Sequence, residues 1–246
     1  MPIRLNPSLD AAGLASAYEP KLRMQIRDFL TEQSAQAAYE GLHKLPWGLV
    51  YNDGERPIQM SPDQVAQLND RDAATIMSGI RTRAREGYQY LYAFFPLLTA
   101  YTSPNSPRFE IFDVFEFMNS PATLEFLRQV TGLPAIRWAD GQGTWFKPGH
   151  FLKAHTDEEA ATGRLAAYVL NLSPVWERDW GGFLQFFDDR DNVEVAFKPA
   201  FNTLNLFTVP QLHSVSMVAN YVTAERISIT GWLRGDEPPP ALKGRL

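Results

Sequence analysis

The chain has 246 residues, a formal net charge of −5 and no cysteine, and 45% of its residues are hydrophobic. This apolar content can fill a sizeable core, so the composition excludes a disordered chain. The lack of cysteine excludes disulfides, thiolate-zinc sites and thiol nucleophiles, so any metal must be held by His, Asp or Glu. An acidic balance without a long basic run is unfavourable for binding the phosphate backbone, and no nucleic-acid partner is expected.

The sequence has no segment long and apolar enough for a signal peptide at its start or for a membrane span elsewhere. We therefore expect no membrane partner and a cytoplasmic location. The length is compatible with one large domain or two small ones.

Three stretches in the first 140 residues carry helix start signals, in which a capping residue precedes a pattern of apolar residues. They begin at Thr31, at Ser61-Pro62 and at Ser120-Pro121. The second helix is expected to run to about Glu86, and the third to stop at Gly132.

Between the second and third helices, residues 88–95 alternate in the manner of a strand. Its aromatic side chains at Tyr88, Tyr90, Tyr92 and Phe94 would share one face. This face is either the aromatic wall of a substrate groove or part of a strand that packs helices against a sheet, and the second interpretation is favoured.

From Gly141 onward the hydrophobic pattern has a period of two, which predicts an antiparallel sandwich or jelly roll. We expect a single α+β, mainly β domain over residues 1–246, with a helix-rich support at 1–140, a core at 141–236 and a tail at 237–246. The predicted strands of the core are Thr144–Phe146, Phe151–His155, Leu165–Asn171, Phe183–Phe187, Val193–Phe197, Thr203–Val209, Ser214–Val218 and Arg226–Leu233.

Two residues at the end of one predicted strand and one at the start of a much later strand form a candidate metal site. His155 and Asp157 are separated by one residue, so both side chains project from the same face, and distant strands such as that of His213 become neighbours in a jelly roll. Two histidines and one carboxylate are the facial triad of non-haem Fe(II) oxygenases, which leaves positions open for an oxo acid and O₂. His43, on a helix, and His150, in a turn and expected to be exposed, fit a metal site less well.

The last predicted strand carries the second part of the candidate site. By strand parity Arg226, Ser228, Thr230 and Trp232 share one face. If this face is the barrel interior, an unpaired guanidinium there would be costly, and an anionic ligand would remove that cost. The planar guanidinium of Arg226 can donate two parallel hydrogen bonds to a carboxylate such as the distal one of 2-oxoglutarate. Ser228 can add a hydroxyl donor.

These motifs, in this order, resemble those of the Fe(II)/2-oxoglutarate-dependent dioxygenase superfamily, in particular its prolyl-hydroxylase-like branch. The resemblance covers about the last hundred residues and is carried by Trp145–Asp157, Tyr168–Asn171, Gly181–Leu184, His213–Val215 and Arg226–Trp232.

The resemblance implies a double-stranded β-helix (jelly-roll) core with supporting N-terminal helices. It also implies Fe(II) at His155, Asp157 and His213, with 2-oxoglutarate at Arg226. Phe146 stands where many members have a tyrosine that helps to hold the co-substrate, and a second family tyrosine falls at Tyr168 or at Val169. The expected co-substrate residues are Arg226, Ser228 and Tyr168, and the expected substrate-pocket residues are Trp145, Phe146 and Trp232.

The resemblance further implies an oxidoreductase that consumes O₂, releases succinate and CO₂ and hydroxylates a C–H bond, with ascorbate as a supporting reductant. The expected substrate is a prolyl residue in a protein or peptide. The alternatives are a free amino acid or another small molecule, or a catalytically silent module that binds metal or 2-oxoglutarate. The sequence carries no signal for the oligomeric state.

Overall fold

The structure is a computed structural model that describes residues 2–54, 56–157 and 163–242. The helices of these residues are α1 (Ala11–Tyr18), α2 (Glu32–His43), α3 (Pro62–Ala66), α4 (Asp70–Glu86), α5 (Leu97–Thr102), α6 (Phe112–Met118) and α7 (Pro121–Thr131), followed near the end by a short 3₁₀ turn (Pro240–Leu242). The strands are β1 (Arg23–Arg27), β2 (Gly48–Asn52), β3 (Pro57–Met60), β4 (Tyr90–Phe95), β5 (Trp138–Ala139), β6 (Gln142–Phe146), β7 (Phe151–His155), β8 (Arg164–Asn171), β9 (Leu184–Phe187), β10 (Val193–Phe197), β11 (Thr203–Thr208), β12 (His213–Val215) and β13 (Arg226–Arg234).

The strands form a continuous antiparallel sheet that curls into a nearly closed, jelly-roll barrel. Its main path runs β1-β11-β8-β13-β6-β4-β7-β12-β9-β10, with β2 and β3 added beside β4 and β5 beside β13. Neighbours in this order are distant in sequence, as is typical of a jelly roll. The predicted fold class, mainly β with supporting helices, is confirmed.

The sheet crosses the boundary that the sequence suggested at residue 140. β1 pairs with β11, and β4 lies between β6 and β7, so strands of the first half complete the barrel of the second. Strands from both halves therefore belong to one sheet, and the single domain over residues 1–246 stays a prediction.

The main hydrophobic core lies between the helices and the outer face of one barrel wall. Leu42 of α2 and Leu127 of α7 are fully buried together with Leu170, Leu206 and Ile229 of β8, β11 and β13. Because successive side chains of a strand point to opposite faces, every second residue of these strands meets the helices and the others line the barrel interior.

The predicted helix starts and core strands agree with the structure to within a few residues. Thr31, Ser61 and Ser120 each accept a hydrogen bond at a helix N-terminus. The prediction of one helix from Ser61 to about Glu86 is wrong in one respect. The structure has two helices there, because α3 ends at Ala66 and Asn69 caps α4. Helices α1, α5 and α6 and strands β1–β3 were not predicted from the sequence, and β5 is too short for its pattern to predict. None of the helices in the described ranges could serve as a membrane span.

Asn119 joins the helical layer to the barrel. Its Nδ2 donates to the carbonyl oxygens of Phe115 and Ala139 at 3.0 Å, and its Oδ1 accepts from Ala139 N at 2.8 Å. The side chain is 5% exposed, so these groups have little access to water. The side-chain amide of Asn119 therefore forms hydrogen bonds with both the N–H and the carbonyl of Ala139, a residue of β5.

Asn119→Ala should lower the free energy of unfolding by about 3 kcal/mol, because the buried N–H and carbonyl of Ala139 both lose the side-chain amide as a partner. Equilibrium urea unfolding measures the change. Asn69→Ala, at the exposed cap of α4, is the matched control and should cost about 1 kcal/mol. Equal losses in the two variants would contradict the role assigned to Asn119.

Candidate active site

The barrel brings His155, Asp157 and His213 together. His155 ends β7, His213 begins β12, and the two are direct partners in the antiparallel register. One ligand atom from each of the three residues lies within 4.8 Å of the others. The expected convergence of residues far apart in sequence is therefore present.

Backbone carbonyls orient both imidazoles. Nδ1 of His155 lies 3.0 Å from the carbonyl oxygen of Lys153, and Nδ1 of His213 lies 2.8 Å from that of Gln211. A carbonyl oxygen only accepts, so Nδ1 carries the proton in each ring and the Nε2 lone pair is free. Nε2 of His155 lies 3.2 Å from Oδ1 of Asp157, and Nε2 of His213 lies 3.6 Å from Oδ2.

The protonation states of this cluster suit a metal site. Burial and the neighbouring His155 lower the pKa of His213 to about 4, so its imidazole is neutral at neutral pH. Burial alone would raise the pKa of Asp157, but its contacts with both histidines and Trp232 outweigh this effect and hold the pKa below its usual value. Neutral nitrogen donors beside an ionised carboxylate are what a divalent metal requires.

A cavity of about 150 Å³ opens inside the barrel beside these three residues. The predicted parity of β13 is confirmed, because Arg226, Ser228, Thr230 and Trp232 all line it, while Ile227 and Ile229 lie in the core on the other face. Further walls come from neighbouring strands and are mainly apolar; they include Tyr92, Thr144, Phe146, Leu152, Ala167, Val169, Leu184 and Phe207.

Arg226 is a buried cation that faces this cavity. It is 2% exposed, its Nε donates to the carbonyl oxygen of Gly182, and its guanidinium lies 4.4 Å from the ring centroid of Phe146. Burial lowers its pKa to about 9, which leaves it charged at neutral pH. Within residues 2–54, 56–157 and 163–242 no carboxylate forms an ion pair with it. A buried cation without a counter-ion is a natural site for an anionic ligand.

Gly182 permits the close approach to Arg226. Its backbone is left-handed, with φ of +66°, and a Cβ at this position would lie 2.8 Å from Cδ of Arg226. The preceding Gly181 is equally constrained, since a Cβ there would lie 2.0 Å from the carbonyl oxygen of Met217. The Gly181-Gly182 turn is therefore part of the pocket that holds the guanidinium.

A pair of hydroxyl groups lies on the same wall of the cavity. Oγ of Ser228 and Oγ1 of Thr144 are 2.7 Å apart and buried. One hydroxyl hydrogen joins the pair, so the other remains available to a ligand. Thr144 was not predicted as a site residue, although it shares strand parity with Phe146, which lines the cavity.

The expectation that Tyr168 faces the co-substrate is wrong. Its ring lies in the core on the opposite face of β8, is 1% exposed, and its hydroxyl donates to the carbonyl oxygen of Asp140 at 2.7 Å. Val169, the alternative position, lines the cavity but has no hydroxyl. No tyrosine of β8 therefore reaches the cavity.

Of the expected substrate-pocket residues, two line the cavity and one does not. Phe146 and Trp232 are part of its wall. Trp145 points outward, where its ring packs edge-on against Trp47 at 5.7 Å and lies 6.3 Å from His43. Because Trp145 and Phe146 are consecutive in β6, only one of them can face the interior.

The two remaining histidines lie outside the cluster. His150 is buried at 9% exposure, contrary to the expectation that it is exposed, and burial lowers its pKa to about 4. The reason is that the turn before β7 hydrogen bonds with Val218 of a distant loop. Nε2 of His43 pairs with Glu225 at 2.9 Å.

A wider cavity of about 490 Å³ adjoins the histidine–carboxylate cluster. The aromatic face of the β4 region lines it through Tyr88, Tyr90, Tyr92 and Phe94, and His155, Asp157 and Trp232 lie on its border. The other face of β4 packs on helix α4, where Leu91 contacts Ile80. The packing interpretation is thus confirmed for one face, and the other face lines a cavity whose use as a substrate groove stays a prediction.

Residues 141–234 match the 2OG-Fe(II) oxygenase superfamily. A curated relative, the mouse prolyl 3-hydroxylase OGFOD1, is 36% identical over 117 residues, which is 45% of this chain and 21% of the relative. The chain therefore spans about a fifth of the length of this relative.

Solved structures share the fold over nearly the whole chain. A Pseudomonas putida prolyl-4-hydroxylase matches with a TM-score of 0.58 and 16% identity, covering 92% of this chain and 99% of the other. A Trichoplax adhaerens prolyl hydroxylase in complex with a hypoxia inducible factor peptide matches with a TM-score of 0.58 and 15% identity, covering 92% and 89%. Residues 141–234 thus resemble the 2OG-Fe(II) oxygenase superfamily, and the chain shares the fold of solved prolyl hydroxylases.

Tyr168→Phe should lower the free energy of unfolding by about 1 kcal/mol, because the buried carbonyl of Asp140 loses its hydrogen-bond donor. Urea unfolding provides the measurement. Tyr221→Phe is matched in chemistry, since the Tyr221 hydroxyl donates to the carbonyl of Asp179 at 2.7 Å, but that side chain is 68% exposed. A loss no larger than that of Tyr221→Phe would show that the contact is not stabilising.

Proposed function

We propose that the protein is an Fe(II)- and 2-oxoglutarate-dependent hydroxylase that acts on a prolyl residue of a protein or peptide. One observation carries the proposal: His155, Asp157 and His213 converge beside a cavity whose wall holds the buried cation of Arg226. A metal site and an anion site in one interior are the two requirements of this reaction class.

The residues of the cluster fit Fe(II). Two imidazole nitrogens and one carboxylate match the facial triad, and a set of only three protein ligands leaves positions for other ligands. The hydrogen bonds from Nδ1 to the carbonyls of Lys153 and Gln211 fix both rings with Nε2 toward Asp157. We infer that His155, Asp157 and His213 hold the metal.

The opposite part of the cavity fits the dianion 2-oxoglutarate. Arg226 supplies a planar fork for a carboxylate, and the Ser228–Thr144 hydroxyl pair supplies one more donor. Phe146 keeps the stacking contact with Arg226 but offers no hydroxyl. We infer that Arg226 and Ser228 bind the distal carboxylate, with Thr144 in the role of an additional donor.

When bound, iron and 2-oxoglutarate supply the oxygen-activating chemistry, in which 2-oxoglutarate is decarboxylated to succinate as a C–H bond is hydroxylated. The residues of the chain position the ligands and keep water out. Arg226 anchors the anion, the apolar walls at Leu184 and Phe207 exclude water, and the carbonyl-bound imidazoles keep their orientation.

The wider cavity is the proposed substrate site. Its aromatic face, defined by Tyr88, Tyr90, Tyr92 and Phe94, borders the cluster and offers apolar ring surfaces on which a pyrrolidine ring can pack. The names of the relatives, a prolyl 3-hydroxylase and a prolyl hydroxylase in complex with a peptide, support a prolyl substrate.

Mass spectrometry of a peptide or proteome pool tests the proposal after incubation with Fe(II), 2-oxoglutarate, ascorbate and air. Wild-type protein should add one oxygen atom to a prolyl residue and release succinate. His155→Ala and Asp157→Ala should abolish both, because the metal loses a ligand, whereas His43→Ala should retain both.

Other outcomes of this experiment separate the alternatives. Hydroxylation of free amino acids without modified peptides would replace the prolyl-peptide substrate by a small molecule. Absence of succinate together with absence of metal uptake would indicate a catalytically silent module, and full activity of Asp157→Ala would refute the metal assignment.

Arg226→Ala should raise the apparent KM for 2-oxoglutarate about 10- to 100-fold, because a charge-assisted contact to the distal carboxylate is lost. Succinate formation at varied 2-oxoglutarate concentration measures it, and the metal requirement should change little. Tyr168→Phe, on the other face of β8, is the control and should leave the KM unchanged. An unchanged KM in Arg226→Ala would mean that another residue binds the co-substrate.

A further inference from the structure

The indole of Trp232 contacts the carboxylate of Asp157 from across the barrel. Its Nε1 donates to Oδ2 of Asp157 at 3.1 Å. Trp232 belongs to β13, whereas Asp157 follows β7, so the contact joins two strands that do not pair with each other. Among the described residues, Trp232 and the two histidines approach this carboxylate, and of these Trp232 presents an N–H to it, since each histidine presents Nε2.

The position of the indole is itself fixed by several contacts. The backbone N–H of Trp232 donates to Oδ1 of Asp140 at 2.7 Å, and its carbonyl accepts from Asp140 N at 3.1 Å. The guanidinium of Arg164 lies 3.7 Å from the centroid of the indole ring. The adjacent Gly231 allows this packing, because a Cβ there would lie 2.3 Å from the carbonyl oxygen of Asp140.

The Asp157 carboxylate needs such a support. Its backbone has a positive φ of +59°, a conformation uncommon outside glycine, and it lies just beyond the end of β7. The terminal torsion of an aspartate side chain has a broad energy profile, so the backbone alone does not set the plane of the carboxylate. The N–H of Trp232 holds Oδ2 and thereby leaves Oδ1 toward Nε2 of His155.

We propose that Trp232 is a positioning residue, which orients the Asp157 carboxylate for metal binding through its indole N–H. This inference rests on the proposed function, since it assumes that His155, Asp157 and His213 hold a metal. It assigns Trp232 a polar role in addition to its place in the cavity wall.

A Co²⁺ titration followed by visible absorption tests the proposal without relying on turnover. Trp232→Phe keeps an aromatic ring beside Arg164 but removes the N–H, and should raise the apparent Kd for Co²⁺ about 10- to 100-fold, the usual effect of losing an outer partner of a ligand. Site-specific replacement of Trp232 by benzothienylalanine, which keeps the shape of the indole but lacks the N–H, should give the same change.

Trp138→Phe is the matched control. Nε1 of Trp138 also donates at 3.1 Å, to the carbonyl of Asp236, and the guanidinium of Arg234 lies 4.9 Å from its ring, but it is outside the cavity. This variant should bind Co²⁺ as the wild type does. Urea unfolding of the metal-free proteins should show that Trp232→Phe is no less stable than Trp138→Phe.

Two results would overturn the positioning role. One is a Kd for the benzothienylalanine protein within about twofold of wild type, and the other is an equal loss of affinity in Trp138→Phe. Failure of the proposed metal site is recognised separately with His155→Ala: if this variant binds Co²⁺ as tightly as wild type, the metal is not at the histidine–carboxylate cluster.

Discussion

The pairing of β7 with β12 is the constraint on which the site depends. It sets His155 directly opposite His213, and Asp157 follows just beyond β7 with its carboxylate beside both imidazoles. A slip of one residue would turn one imidazole to the other face of the sheet and separate the set. The strand order of the barrel enforces this register, because β12 is held between β7 and β9.

The alternation of side chains between the two faces of a strand lets the barrel interior carry polar groups while the other face packs in the core. Ile227 and Ile229 of β13 bury their side chains under the helices, while Arg226 and Ser228 face the cavity. The cost of burying the guanidinium is offset in part by the carbonyl of Gly182 and the ring of Phe146. The largest apolar cluster therefore lies on the helical side of this wall, and the interior side carries polar groups that can bind a ligand.

The sequence was sufficient where the signal is local or periodic. Helix caps such as Ser120 and the parity of β13 follow from residues that are close in sequence. The spacing of His155 and Asp157 indicated that the two side chains converge, although Asp157 lies beyond β7 with a φ of +59° and strand alternation alone does not place its carboxylate. It failed where a choice between adjacent residues depends on register, as for Tyr168, whose hydroxyl lies on the core side. It also failed for His150, since its burial depends on a distant loop that no local pattern reveals.

Strand β13 links the two parts of the proposed site. Arg226 near one end and Trp232 near the other are three interior positions apart, or roughly 20 Å along an extended strand. The first faces the anion position, and the second donates to the Asp157 carboxylate. Because a rigid strand carries both, the same β8–β13 and β6–β13 pairings that set the anion position also set the support of the metal ligand. A change in the register of β13 would therefore disturb both parts together, whereas a substitution at either residue should affect one part alone.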